Sequence, residues 1–191
     1  MTETRIMLGN GKMGTLETLN CDLRSIEWWE SYSEWASRNT RLVEPQPRLE
    51  IAIIRLLKRV VFNANVGPAI VPFDMIFPER ERLSVSLTGW TTTDEGYVLK
   101  TAAVEMLPPS SFQALRSTYH IDRAVQGNLL IVETELKLGL LDEGGPLLYN
   151  GNILMGLNHW SGRRCGHRKR QFLIKSTYYK DFLRFYLFGH E

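Results

Sequence analysis

The chain has 191 residues, 43% hydrophobic and 23% charged, with a formal net charge of +2 and two cysteines. That length supports one buried core, and the near-balanced charge excludes a uniformly basic or acidic polypeptide. No window offers the roughly 18 uninterrupted apolar residues of a membrane-spanning helix, the first residues lack the order of a secretion signal, and Cys21 and Cys165 make no disulfide framework.

Residues 1–20 carry Gly9, Gly11 and Gly14 with little apolar periodicity, which reads as a flexible arm or a loose first strand ahead of a single domain over 21–191. From Asp22 to Arg38 the spacing predicts a helix, with Ile26 and Trp29 on one side and Trp28, Tyr32 and Trp35 on another. Trp28, Trp29 and Trp35 either plug the core or form a self-association contact, a setting in which tryptophan is enriched. After Pro45 and Pro47, the run RLEIAIIRLLKRVVFN sets Leu49, Ile53, Leu56 and Val60 in a stripe that predicts a central buried helix. The proline-interrupted stretch that follows is apolar at Ile70, Val71 and Phe73, and if exposed it would join the self-association surface.

Beyond Arg82 the period becomes two. Leu83, Val85 and Leu87 alternate with Ser84, Ser86 and Thr88, Asp94 to Gly96 has hairpin chemistry, and Tyr97 to Met106 is the return strand. Ser110 and Gln113 form a capping-box pattern that opens a short helix through Tyr119. Leu130 to Leu138 alternate as a further strand, Asn150 and Gly151 make a tight hairpin, and Gln171 to Tyr179 is another strand. The tail DFLRFYLFGHE fits strand or helix. The elements add up to an α+β class: a twisted antiparallel β-sheet packed by two or three helices.

Charge is segregated at the C-terminal end. Between Gly144 and Lys180 there is no acidic residue, while the run RRCGHRKR concentrates Arg163, Arg164, His167, Arg168, Lys169 and Arg170, with Lys175 beyond it. Crowded like charge is relieved by an anionic partner, so these seven residues are the candidate phosphate-binding set, for nucleic acid or lipid headgroups. Catalytic motifs are missing: there is no G-x-S-x-G, no H-E-x-x-H and no ordered phosphate loop, since LGNGKMG departs from G-x-x-x-x-G-K-[ST]. His159, Cys165 and His167 match no common zinc spacing, and a fourth ligand would have to come from Cys21 or His120. No catalytic residue, metal or cofactor is expected.

The succession from Pro47 to Trp90 resembles the core of a rhabdovirus-type matrix protein: the apolar run RLEIAIIRLLKRVVFN, the small-residue and proline loop ANVGPAIVP, then the basic turn and strand RERLSVSLTGW. The resemblance implies a viral structural protein without catalysis, which self-associates and binds the nucleocapsid or RNA and the anionic inner membrane surface of the virion. An alternative from the basic run is an RNA-binding regulator, such as a viral suppressor of host defence. Either reading places the protein inside a host cell, in the cytoplasm or nucleus.

Overall fold

A computed structural model describes residues 4–9, 12–13, 22–39, 50–74, 76, 81–94, 96–113, 127–136, 142–159 and 170–189. The chain divides into two compact units, one of residues 1–68 with 179–191 and one of residues 69–178.

The second unit is built from strands. They are β5 (Leu83–Thr93), β6 (Gly96–Met106), β7 (Leu129–Glu133), β8 (Pro146–Tyr149), β9 (Ile153–Asn158) and β10 (Arg170–Lys175). Their order is β6-β5-β8-β9-β10-β7, and β6 also pairs with β7, so the antiparallel ladder returns on itself as a six-stranded barrel with no free edge among these strands. Alternation along each strand sends every second side chain inward. Val85, Leu87, Val104, Met106, Leu130, Val132, Leu147, Met155 and Leu173 fill the interior.

Two turns follow directly from sequence. Asn150 and Gly151 adopt φ of 49° and 83°, the left-handed pair that a tight β8–β9 hairpin requires. Gly156 is fixed by contact, because a Cβ there would lie 2.5 Å from the Ile174 carbonyl oxygen.

The first unit carries a three-stranded antiparallel sheet in the order β1-β3-β4, from β1 (Arg5–Leu8), β3 (Asp22–Ser31) and β4 (Ala52–Leu56); β2 is the short Lys12–Met13 segment. It also holds α1 (Tyr32–Asn39) and α2 (Lys180–Phe188), which a 3₁₀ turn over Ser176–Tyr179 precedes. Its core is aromatic. Tyr32 meets Tyr179 edge-on at 4.8 Å, Trp35 lies 5.5 Å from Phe182, and Trp28 lies 5.2 Å from Tyr186.

The expected α+β class is corrected to a mainly β architecture, with α1 and α2 the only α-helices of eight or more residues among the described residues. Two predicted helices are the source of the difference. Residues 22–31 form β3, and the register shift between Ile26 and Trp28 is the reason they mimic a helix: one extra residue turns a spacing of two into a spacing of three. The true helix begins one residue after Ser31, whose hydroxyl and backbone N–H pair reciprocally with Glu34 in a capping box. The central buried helix expected in RLEIAIIRLLKRVVFN is also absent among its described residues, 50–63. Its Ala-Ile-Ile-Arg-Leu segment is β4, where β-branched side chains suit a pleated surface better than a helical one.

Candidate functional site

In the barrel unit, the turn that enters β8 gathers buried polar groups. Asp142 is 4% exposed, Asn158 1% and Gln171 7%. The Trp90 backbone N–H donates to Asp142 Oδ1 at 2.5 Å, the Asn158 amide donates to the Asp142 carbonyl at 2.8 Å, and the Gln171 amide donates to Asn158 Oδ1 at 2.8 Å. Buried polar groups are costly unless each finds a partner, so this network fixes one geometry for the turn.

Glycine closes it. The Gly144 N–H donates to the Asn158 carbonyl, and the Gly145 N–H donates to the Asp142 carbonyl. A Cβ on Gly145 would fall 2.9 Å from the Asp142 oxygen and 3.0 Å from that of Thr88, while Gly144 takes a φ of 80°. At the apex, half-exposed Glu143 brings Oε1 to 3.6 Å from Nδ1 of His159, an ion pair when the ring is protonated. A carboxylate beside an imidazole can hold that ring in place or receive its proton. Gly144, Gly145 and Pro146 read as a turn from sequence, but the network of Asp142, Asn158 and Gln171 around it was missed, because its partners lie 13 and 16 positions apart.

The residues predicted to bind phosphate are not brought together among the described residues. Arg163, Arg164, His167, Arg168 and Lys169 lie outside them. Arg170 opens β10, and its Nε donates to Glu133 at 3.0 Å. Glu133 also receives Arg82, which reaches Glu105, so cations and carboxylates alternate. The Arg170 hydrogen bond, followed by that of Arg82, holds the Glu133 carboxyl below its ordinary range against the opposing effect of burial. Lys175 is half-buried, and desolvation lowers its pKa.

The self-association candidates are dispersed. Trp35 is buried, Trp28 rests on Tyr186 and Trp29 is 59% exposed. Ile70 is exposed while bonding through its backbone to Asn152 and Leu154, and Val71 and Phe73 are half-buried. A cavity of about 870 Å³ in the first unit is lined by Trp28, Trp29, Phe185 and Tyr186 beside the Glu30–Arg38 ion pair. No group of three His, Cys, Asp or Glu among the described residues is placed to hold a metal ion, and none of their helices is long and apolar enough to cross a membrane.

The sequence model of one family, trypsin, matches residues 3–183. The CLIP domain-containing serine protease B15 of Anopheles gambiae is 29% identical over 133 residues, covering 61% of this chain and 34% of its own length. The chain therefore spans about a third of that relative. Among solved structures, the scabies mite inactivated protease paralogue S-D1 aligns with a TM-score of 0.71 at 16% identity, covering 97% of this chain and 76% of that one. A mutant of human heparin binding protein (CAP37) aligns with a TM-score of 0.64 at 15% identity, covering 98% and 78%.

These matches overturn the matrix-protein resemblance with its viral structural role, and with it the RNA-binding alternative drawn from the basic run, the exclusion of enzymes, and the nucleocapsid, RNA, membrane and self partners. The physical reason is the fold. The segment that carried the resemblance contains strand β4 and most of β5, and no helix among its described residues.

Proposed function

The chain belongs to the trypsin family, and from that membership we propose that it is a trypsin-type serine-protease domain acting on polypeptide. The observation that carries this reading is the family match over residues 3–183. Hydrolysis by this route requires a serine nucleophile, a histidine that takes its proton and an aspartate that orients the histidine, in the chain order His, Asp, Ser. Backbone N–H groups of the serine and of the glycine two residues before it stabilise the oxyanion.

The residues of this chain limit where such a relay can lie. Gly-x-Ser occurs nowhere in the sequence, and the first histidine is His120. A relay contained wholly in this chain would start there and end at Ser161 or Ser176, the two serines that follow. Ser176 is committed elsewhere, since its hydroxyl is placed to donate to the Leu154 and Met155 carbonyls at 2.7 and 2.9 Å.

The lack of any Gly-x-Ser and the commitment of the Ser176 hydroxyl to backbone carbonyls favour a second reading, in which the domain holds polypeptide without cleaving it. His159 cannot start the relay, because the one aspartate after it, Asp181, has no serine beyond it. Peptide-amide hydrolysis and serine labelling by a fluorophosphonate separate the readings. Turnover together with a labelled serine carries the first; peptide binding with neither turnover nor label carries the second.

A further inference from the structure

The cavity of the first unit joins aromatic rings to carboxylates. Its lining comes from β3, α1 and α2, all within that unit. One wall is aromatic: Trp28 lies 5.2 Å from Tyr186 with the rings tilted by 47°, and Phe185 meets Tyr186 at 4.9 Å and 65°. Rings inclined in this way touch through their edges and do not use up each other's faces, as parallel stacks would, which keeps ring faces for a further group. Trp29, mostly exposed, adds a fourth ring to the lining.

The rest of the lining carries charge. Among the described residues two carboxylates, Glu30 and Glu34, face one guanidinium, that of Arg38, which leaves an excess of one negative charge. Both carboxylates already accept hydrogen bonds or ion pairs from the protein. Glu30, 8% exposed, pairs with Arg38, and the Ser31 N–H and hydroxyl donate to Glu34 Oε2 at 3.1 and 2.9 Å. What they offer a ligand is therefore mainly their field.

Ring faces attract cations, and the excess carboxylate repels anions. A cation without N–H groups, its charge spread over methyls, asks for no hydrogen bond and is weakly hydrated, so it suits walls that offer π-faces and field together. The volume of about 870 Å³ is that of a small-ligand site. We infer that this cavity binds an organic cation with a quaternary ammonium head, seated against Trp28, Trp29 and Tyr186 and balanced by Glu30 and Glu34. The site belongs to the first unit alone, and the inference is independent of whether the domain cleaves polypeptide.

Choline is the probe, and neohexyl alcohol, in which carbon replaces the nitrogen, is its uncharged counterpart. Followed by tryptophan emission, choline should saturate with a Kd of about 1 mM or tighter, and neohexyl alcohol should bind at least about tenfold more weakly. Glu34→Gln keeps an oxygen for the Ser31 cap while removing the charge, and should weaken choline about fivefold. Trp29→Ala removes one ring and should weaken it by about as much. Both positions are exposed, so these variants should keep the native circular dichroism spectrum. The inference is overturned if choline shows no saturable binding, if its neutral counterpart binds equally well, or if both variants bind choline unchanged. Tighter binding of butylguanidinium than of choline would also overturn it, because the site would then be reading N–H donors.

Discussion

The two units solve the same problem differently. In the barrel, every one of six strands has at least two neighbours, because β6 meets both β5 and β7, and its aliphatic residues are sealed inside. In the first unit, β1 and β4 each pair only with β3 among the described residues, and the core is made of aromatic rings, those of α1 and α2 among them. Closure lets small aliphatic side chains suffice. Without it, large rings supply the cover, as Tyr186 does for Trp28.

Substitutions at matched depth test that contrast. Phe182→Ala removes a fully buried ring that touches Tyr32, Trp35 and Tyr186, and should cost about 3–5 kcal/mol, read by denaturant unfolding with fluorescence from the aromatic cluster. Leu173→Ala, equally buried in the barrel, should cost about 2–5 kcal/mol in the same measurement. If the barrel variant lost far more than the ring variant, closure and not ring size would dominate.

Asn158→Ala sharpens the barrel side. It strands the Gln171 amide and removes a donor from the Asp142 carbonyl, both in buried surroundings, for about 1–3 kcal/mol by thermal unfolding. Glu133→Gln breaks a half-exposed pair and should cost about 1 kcal/mol or less at neutral pH. The sign of its pH dependence follows from the lowered folded pKa. The stabilising effect of ionised Glu133 is complete above its unfolded value, near 4.5, and is lost as pH falls through the lower folded value. The difference between wild type and Glu133→Gln should therefore shrink below pH 4.5 in an acid titration. The smallest effect belongs to the first unit: Trp29→Ser should change stability by about 0.5 kcal/mol or less, because the ring is mostly in water. A larger loss would mean that this ring is covered.

Much of the barrel was legible because its signals are local. The alternation of Leu83, Val85 and Leu87 and the turn chemistry near Asp94 give β5 and β6, and Asn150-Gly151 gives the β8–β9 hairpin. The first unit was less legible. A bulge in β3 counterfeits helical spacing, and the Ser31–Glu34 capping box that marks the real helix start was passed over. The basic run drew the functional reading toward phosphate, yet Arg170, its one described member, is bound to Glu133, which lies 37 positions earlier in the chain.

The sequence by itself determined which segments alternate, where the tight turns fall and that charge is concentrated near the C-terminal end, since these depend on neighbours a few positions apart. Only the tertiary structure decided that the strands close into a barrel, that Asp142, Asn158 and Gln171 form one buried network, and that Glu143 meets His159. Pairing across tens of residues is chosen by which edges and apolar faces can be satisfied together, and no local pattern encodes that choice.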